Sequence, residues 1–323
     1  MTLRVTTSCE ASDSTIDCTN ASERGVFLES ASKVMTNSIN KLPNIKIVVG
    51  ATASGKSAFA ISLAQKNNSV IINADSQQVY SDLRILTARP SPQEEVLVTH
   101  KLYGIMAAHE SCSAGVWLRY AKMEIDWART QNITPIVVGG TGLYIKSLTE
   151  GIAEIPDIDT AVRAQAMSDY EQMGKDAFSE RLRAIDPEFF ERLKVYDRQR
   201  LVRAYEVWLG SGKSLSWWQN RTVNPPYQEG EIEIIKIELP REELYRRCNA
   251  RFEQMIEAGA VDEVRQLITL NLPDNLPIMK TIGVRELSAY LRGEISLDEA
   301  TELCQIATRQ YAKRQMTWFR NQV

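Results

Sequence analysis

Three short apolar runs punctuate the first half of the chain. Ile45-Lys46-Ile47-Val48-Val49, Val70-Ile71-Ile72 and Pro135-Ile136-Val137-Val138 are brief and rich in β-branched residues, as strands buried on both faces are. Each runs into a turn: Gly50 to Ser57, Asn73 to Ser76, and Gly139 to Gly142. Between them the apolar positions take helical spacing, at Ala58 to Ala64 and over residues 114–130. Strands alternating with helices predict an α/β domain on a parallel sheet. Beyond about residue 155 the pattern changes. Residues 160–210 read as helices dense in Arg, Glu and Asp, broken at Asp186-Pro187 and stopped at Ser211-Gly212-Lys213. Val223-Asn224-Pro225-Pro226 reads as a loop, Glu231 to Glu238 alternates like a further strand of the main sheet, and the chain from Pro240 reads as mostly helical. The expected organisation is a core made of residues 44–155 and 229–323, interrupted by a helical insertion domain over 156–228.

The composition narrows the class without choosing within it. In 323 residues, 44% are hydrophobic and 24% charged, enough for a sizeable core in one large domain or two. The net charge of −3 offers no bulk attraction to nucleic acid, so any such binding must rest on local patches. The five cysteines form no CxxC pair, and His100 and His109 are the only histidines. That argues against a zinc site, a disulfide framework and a Ser-His-Asp hydrolase, and fits a reducing cytoplasm. No run of about 18 apolar residues suggests a membrane span. Residues 1–43 are rich in Ser, Thr and Asn, with more acidic than basic side chains and no apolar centre. They fit neither a secretory nor a transit peptide and read as a disordered extension, or as sequence upstream of a true start at Met35.

The first turn carries chemistry. Gly50-Ala51-Thr52-Ala53-Ser54-Gly55-Lys56-Ser57 matches GxxxxGK[ST] between a strand and a helix. Glycines let the backbone turn so that several N–H groups converge on a phosphate, and the helix adds its positive end. Lys56 supplies a point charge, and the Ser57 hydroxyl can ligate Mg2+. A chance match is expected in roughly 1% of chains this long from average residue frequencies, so a diphosphate or triphosphate site is the reading adopted. In an open parallel sheet ligands bind beyond the carboxyl ends of the strands, which brings Asp75 and Thr141 near this loop. Asp75 suits a general base, a magnesium ligand or a helix cap; Thr141 suits a donor to a phosphate oxygen or a cap.

Six segments, TASGKS (52–57), NADSQQVY (73–80), VVGGTGLYIKSL (137–148), DRQRLVRAYEV (197–207), TIGVREL (281–287) and AKRQMTWFR (312–320), together resemble the bacterial tRNA dimethylallyltransferases, the IPP transferase family. The likeness runs in register over residues 45–323, and the GGTGLY and KRQxTWxR stretches are its most specific parts. The resemblance implies a P-loop NTPase-like core with a helical insertion. It implies transfer of a dimethylallyl group from dimethylallyl diphosphate to N6 of the adenine 3′ of the anticodon. It assigns the phosphate loop to the diphosphate, Asp75 to the general base, Thr141 to the bridging oxygen and Arg251 to diphosphate binding, with Arg247 a weaker candidate. The segments it assigns to the tRNA anticodon stem-loop are Asp75-Ser76-Gln77-Gln78, Thr141, Arg163, Gln199-Arg200-Leu201-Val202-Arg203, Lys280-Thr281-Ile282-Gly283-Val284-Arg285 and Lys313-Arg314-Gln315-Met316-Thr317-Trp318-Phe319-Arg320.

This chain departs from the family pattern in places. RILTARP (84–90) stands where Gly-Thr-Ala-Lys-Pro is usual, so Leu86 replaces the glycine and Arg89 the lysine, and Gly104 stands where Asp is usual. Residues 308–323 carry Arg309, Lys313, Arg314 and Arg320 with no acid, beside Tyr311, Trp318 and Phe319. That composition suits either RNA contact or a C-terminal helix with its aromatics in the core. A monomer is the expected state. The competing readings are a P-loop small-molecule kinase, a prenyltransferase acting on free adenine nucleotides, and a nucleic-acid-binding NTPase.

Overall fold

A computed structural model describes residues 42, 44–193, 197–221, 223–228 and 230–322. The expected extension over residues 1–43 therefore lies almost wholly outside the described residues. Five strands form one sheet: β1 (Ile45–Gly50), β2 (Ser69–Asn73), β3 (His100–Lys101), β4 (Thr134–Gly139) and β5 (Ile232–Ile237). Their order is β3-β2-β4-β1-β5, and every pairing is parallel. The central strands are buried on both faces, which is why their sequences are runs and not alternations. β5 lies at the edge, with none of its residues fully buried, and the adjacent Glu233 and Ile234, which point to opposite faces, are both exposed, so its alternating sequence is not matched by an alternation in burial.

Helices α1 (Lys56–Gln65), α2 (Pro92–Leu97), α3 (Ala114–Thr130) and α4 (Gly142–Thr149) belong to the first part of the sheet. The apolar face of α3 places Trp117, Ala121, Ile125 and Ala128 in the main core, at the helical spacing that predicted it. A smaller core on the other face joins Val48, Ile71, Ile136 and Val138 to Ala60, Ile61 and Ala64 of α1. The C-terminal part adds α9 (Arg241–Glu257), α10 (Ala260–Thr269), a 3-10 turn (Ile278–Lys280), α11 (Val284–Leu291) and α12 (Leu297–Gln322). Cys304 and Phe319 of α12 lie in the main core.

Between α4 and β5 run α5 (Thr160–Ile185), α6 (Pro187–Arg192), α7 (Arg198–Ser211) and α8 (Leu215–Gln219). They bury a separate cluster that includes Phe178, Leu182, Phe189, Leu201, Tyr205 and Leu215. Asp186 explains the break before Pro187. Its buried carboxylate accepts the Phe189 N–H at 3.1 Å, capping α6, and the Ser216 N–H at 2.9 Å, which ties in α8. Gly212, at φ 69°, ends α7 in the left-handed conformation. Within α5, Gly174 (φ 71°, ψ 164°) adds a kink that the breaks read from the sequence did not include.

Candidate active site at the strand ends

The phosphate loop begins where β1 meets β5. A Cβ on Gly50 would lie 2.7 Å from the Ile237 carbonyl oxygen and 2.8 Å from Ser54 Oγ, so only glycine fits there. Ala53 (φ 61°) and Gly55 (φ 91°) take left-handed conformations that fold the loop under α1. Gly55 occupies the N-cap of α1 and contributes no side-chain cap. The first-turn N–H groups, with the Ser57 hydroxyl exposed beside them, are left to serve a ligand.

Two cations flank this loop. Burial pushes Lys56 down to about 8, against the opposing pull of Asp75, and the nearby Arg251 charge lowers it further. Arg251 reaches over from α9 and donates to Thr52 Oγ1. Burial also lowers Arg251, with Cys248 and Asp75 opposing. Arg247 stands nearby, its guanidinium 3.8 Å from a Cβ placed on Gly55, and its Nε donates to Glu243 at 2.6 Å. Asp75 is thus the anionic neighbour of a half-buried cationic pair.

Asp75 is held by its neighbours in sequence and by buried groups. Asn73, fully buried at the end of β2, accepts the Asp75 N–H at 2.8 Å and donates to the Asp75 carbonyl at 3.0 Å and the Leu102 carbonyl at 3.1 Å. The Trp117 indole N–H donates to the Asn73 carbonyl at 2.8 Å. The Asp75 carboxylate accepts the Gln77 N–H at 3.0 Å in a local turn and precedes no helix, so the helix-cap alternative does not apply. Thr141 precedes α4 but makes no side-chain cap. Its Oγ1 instead accepts the Ser76 N–H at 2.9 Å and lies 3.3 Å from Ser76 Oγ. The Tyr311 hydroxyl hydrogen-bonds Thr141 and Gln315, and burial, with Asp75 next, pushes its ionisation well up. A Cβ on Gly139 would lie 2.1 Å from the Ala74 carbonyl oxygen, so the ends of β2 and β4 are drawn together.

The helix α12 closes the site from its far side. Gln315, 5% exposed, donates to the Gly140 carbonyl at 2.8 Å and accepts the Thr52 N–H at 2.8 Å, bridging two strand-end loops. Trp318 packs on Gly142, where a Cβ would come within 2.5 Å of the indole. On the outer side Lys313, Arg314, Thr317 and Trp318 help line an open groove of about 550 Å3.

The segments assigned to RNA divide by burial. Ser76, Gln77 and Gln78 are half-buried at the rim, and Gln77 Oε1 accepts the Thr281 hydroxyl at 2.6 Å. Arg163, Gln199, Arg200, Arg203, Lys280, Arg285, Lys313, Arg314, Thr317 and Arg320 are exposed, while Ile282, Met316 and Trp318 are half-buried. Leu201, Val202, Thr281, Gly283, Val284, Gln315 and Phe319 are buried. In the free protein these seven hold the segments in place from within. The sequence does not single out Asn73, Trp117 or the inward role of Tyr311: Asn73 is a polar residue ending a strand, while Trp117 and Tyr311 sit inside α3 and α12 with no local signal.

Among the described residues no group of three or more His, Cys, Asp or Glu is arranged to hold a metal ion. The exposed Ser57 hydroxyl is one hard oxygen donor at the loop, so a cation held there would need its remaining ligands from a bound anion and water.

Comparison with known proteins agrees with this geometry. The family described as IPP transferase matches residues 78–322. A tRNA dimethylallyltransferase from Phenylobacterium zucineum is 47% identical over 281 residues, covering 87% of this chain and 91% of the relative. One from Caulobacter is 46% identical over 283 residues, covering 87% and 91%. The fold is similar to a tRNA isopentenylpyrophosphate transferase from Staphylococcus epidermidis, at a TM-score of 0.61 and 34% identity over 87% of this chain and 91% of that one. It is similar also to a eukaryotic dimethylallyltransferase acting on tRNA, at 0.71 and 26% identity over 85% and 69%. A match this broad, on a fold whose strand ends gather a phosphate loop, an aspartate and a threonine, establishes that the chain belongs to the IPP transferase family.

Proposed function

We propose that this enzyme transfers the dimethylallyl group of dimethylallyl diphosphate to the N6 amine of the adenine immediately 3′ of the anticodon in tRNA, releasing diphosphate. The observation that carries the reading is Asp75 beside the half-buried cations Lys56 and Arg251 at a helix N-terminus with no side-chain cap. In the reaction the N6 nitrogen forms a bond to the allylic carbon, the bond from that carbon to the diphosphate oxygen breaks, and Asp75 takes the N6 proton. The leaving diphosphate is received by loop N–H groups, Lys56 and Arg251. Thr141, fixed against Ser76, is suited to the bridging oxygen. Bound beside Ser57, Mg2+ supplies neutralisation of diphosphate charge. An exocyclic amine is a weak nucleophile, so alignment within the site counts for more than basicity. The adenine must first leave its stack, at a cost of a few kcal/mol.

The exposed cations of α7 and α12 and the groove beside Trp318 suit the anticodon stem-loop. Residues 156–228 are taken as an inserted domain, a reading supported by their separate apolar cluster. The protein is taken to work as a cytoplasmic monomer; no helix among the described residues is long and apolar enough to cross a membrane. The kinase, free-nucleotide and NTPase readings are not favoured by relatives of these names. The test is incubation with labelled dimethylallyl diphosphate, magnesium and unmodified tRNA. Label on tRNA, lost in Asp75→Ala and Lys56→Ala, is the expected result. Label on AMP or ATP alone, or no transfer by folded protein, overturns the proposal.

A further inference from the structure

Glu263 makes an arrangement that the site described above does not use. It lies in the first turn of α10, and its carboxylate accepts three consecutive backbone N–H groups from a distant turn. Oε1 accepts from Arg84 and, at 2.8 Å, from Ile85; Oε2 accepts from Leu86 at 2.9 Å. Three N–H groups on one carboxylate form a charge-assisted clamp that an amide or a methyl group cannot reproduce. The far side of the same turn is held by Gln78, whose Nε2 donates to the Thr87 carbonyl at 2.9 Å and the Ala88 carbonyl at 2.8 Å.

The turn also touches the other segment. Leu86 packs on Gly283, where a Cβ would fall 2.7 Å from Leu86 Cδ1. Gly283 needs its freedom, at φ 102°, and opens α11. Beside it the Thr281 hydroxyl donates to Gln77. The turn at 84–88 is therefore wedged between Gln77–Gln78 and Thr281–Gly283, and Glu263 is what fixes the turn.

We propose that Glu263 is a positioning residue: by clamping the N–H groups of Arg84, Ile85 and Leu86 it holds the Gln77–Gln78 and Thr281–Gly283 segments in register for the RNA substrate, without touching that substrate. This rests on the reading that those segments face tRNA. In Glu263→Gln one carbonyl oxygen remains and the new NH2 group opposes an N–H donor, so the clamp loses at least one bond at nearly unchanged volume. The phosphate loop, Lys56 and Arg251 have no part in the clamp, so diphosphate binding is independent of it.

The test is steady-state kinetics of Glu263→Gln and Glu263→Ala with each substrate varied in turn, together with hydrogen exchange of the free proteins. The expected KM for tRNA rises about fivefold or more, the lower range of coupling between linked elements, with KM for dimethylallyl diphosphate unchanged within twofold. Exchange should accelerate at 84–88, 76–78 and 280–285 and stay as in the parent at 50–57. Parallel loss of kcat and both KM values, tracking the melting temperature, would mean a purely structural residue and overturn the proposal. So would faster exchange confined to 84–88. Should Glu263→Ala fail to fold, Glu263→Gln alone decides. A parent enzyme that transfers nothing to tRNA would refute the tRNA reading, and the exchange pattern would still decide whether the clamp couples the two segments.

Discussion

Replacing Gln315 by Leu should weaken both stability and diphosphate binding, and the structure sets the size. The side chain is 5% exposed and makes two bonds of 2.8 Å, one to the Gly140 carbonyl and one from the Thr52 N–H. Leucine fills a similar volume, so little cavity cost enters. What changes is that two backbone groups lose their partners. Gly140 is buried, and stranding its carbonyl costs about 1–3 kcal/mol. Thr52 is only half-buried, so water can reach its N–H and the loss there is nearer 0.5–1 kcal/mol. The sum is about 1.5–4 kcal/mol, read as a shift in urea midpoint at constant slope. Thr52 is also the residue that meets Arg251, so the loop should lose definition where the diphosphate sits. Calorimetric titration with inorganic diphosphate should show several-fold weaker binding. Gln315→Glu keeps an acceptor for Thr52 but sets a carboxylate against the Gly140 carbonyl, and should be at least as harmful. A midpoint shift worth less than about 0.5 kcal/mol in the leucine variant would refute the argument that this bridge joins the two loops.

Two further outcomes follow from named groups. Lys56 is lowered to about 8 by burial, with Arg251 adding to the fall and Asp75 resisting it. It is cationic below that value, so kcat/KM for the diphosphate substrate should decline as pH rises through about 8. Lys56→Arg should flatten that limb of the pH–rate profile, since arginine stays charged throughout. Because the folded-state value lies below the ordinary 10.5, the unfolded chain holds more protons between about 8 and 10.5, and stability of the free enzyme should gain from this group as pH climbs through that window. At Gly104 (φ 59°), a Cβ would come within 2.4 Å of the Arg89 guanidinium. Gly104→Ala should cost about 1–2 kcal/mol for its left-handed backbone plus the clash, and a double-mutant cycle with Arg89→Lys should show coupling of about 0.5 kcal/mol or more. An additive cycle would show that the two sites are independent.

Local pattern made much of this molecule readable and long-range bonding did not. β1, β2 and β4, α3, and the caps at Asp186 and Gly212 follow from runs, periods and breaker residues within a few positions of one another. β3 has two residues and α2 six, too few to show a period. The kink at Gly174 was hidden because a single glycine is compatible with a helix in solvent. At the site, Lys56, Asp75 and Thr141 were found from their places after strands, because parallel topology forces strand ends together. Asn73 and Glu263 were not, and Gln315 stood out only as part of an RNA-assigned segment and not for its bridge, since each satisfies backbone groups, and backbone groups carry no residue identity. Within the RNA-assigned segments the helical period alone separates Leu201 and Val202, buried, from Arg200 and Arg203, exposed.

The departures from the family pattern fall into two packing exchanges, neither of which replaces Lys56, Asp75, Thr141 or Arg251. Where glycine is usual, Leu86 fills the space over Gly283, and the Leu86 N–H is still taken by Glu263. Where lysine and aspartate are usual, Arg89 and Gly104 stand together: the guanidinium lies over a glycine that has no Cβ, and Nη1 donates to the Tyr80 and Ser81 carbonyls at 3.2 and 3.1 Å. The guanidinium thus takes the room beside Gly104 and is held there by bonds to backbone. Burial lowers Arg89, with the Arg84 charge adding to it, and Arg89 Nε has no hydrogen-bond partner, so the exchange is not free of cost. Arg89 braces the chain just after Gln78 from outside while Asn73 fixes it just before Asp75 from inside. The Asp75–Gln78 segment is therefore clamped at both ends, and substitution at 86, 89 and 104 leaves the groups proposed to do chemistry untouched.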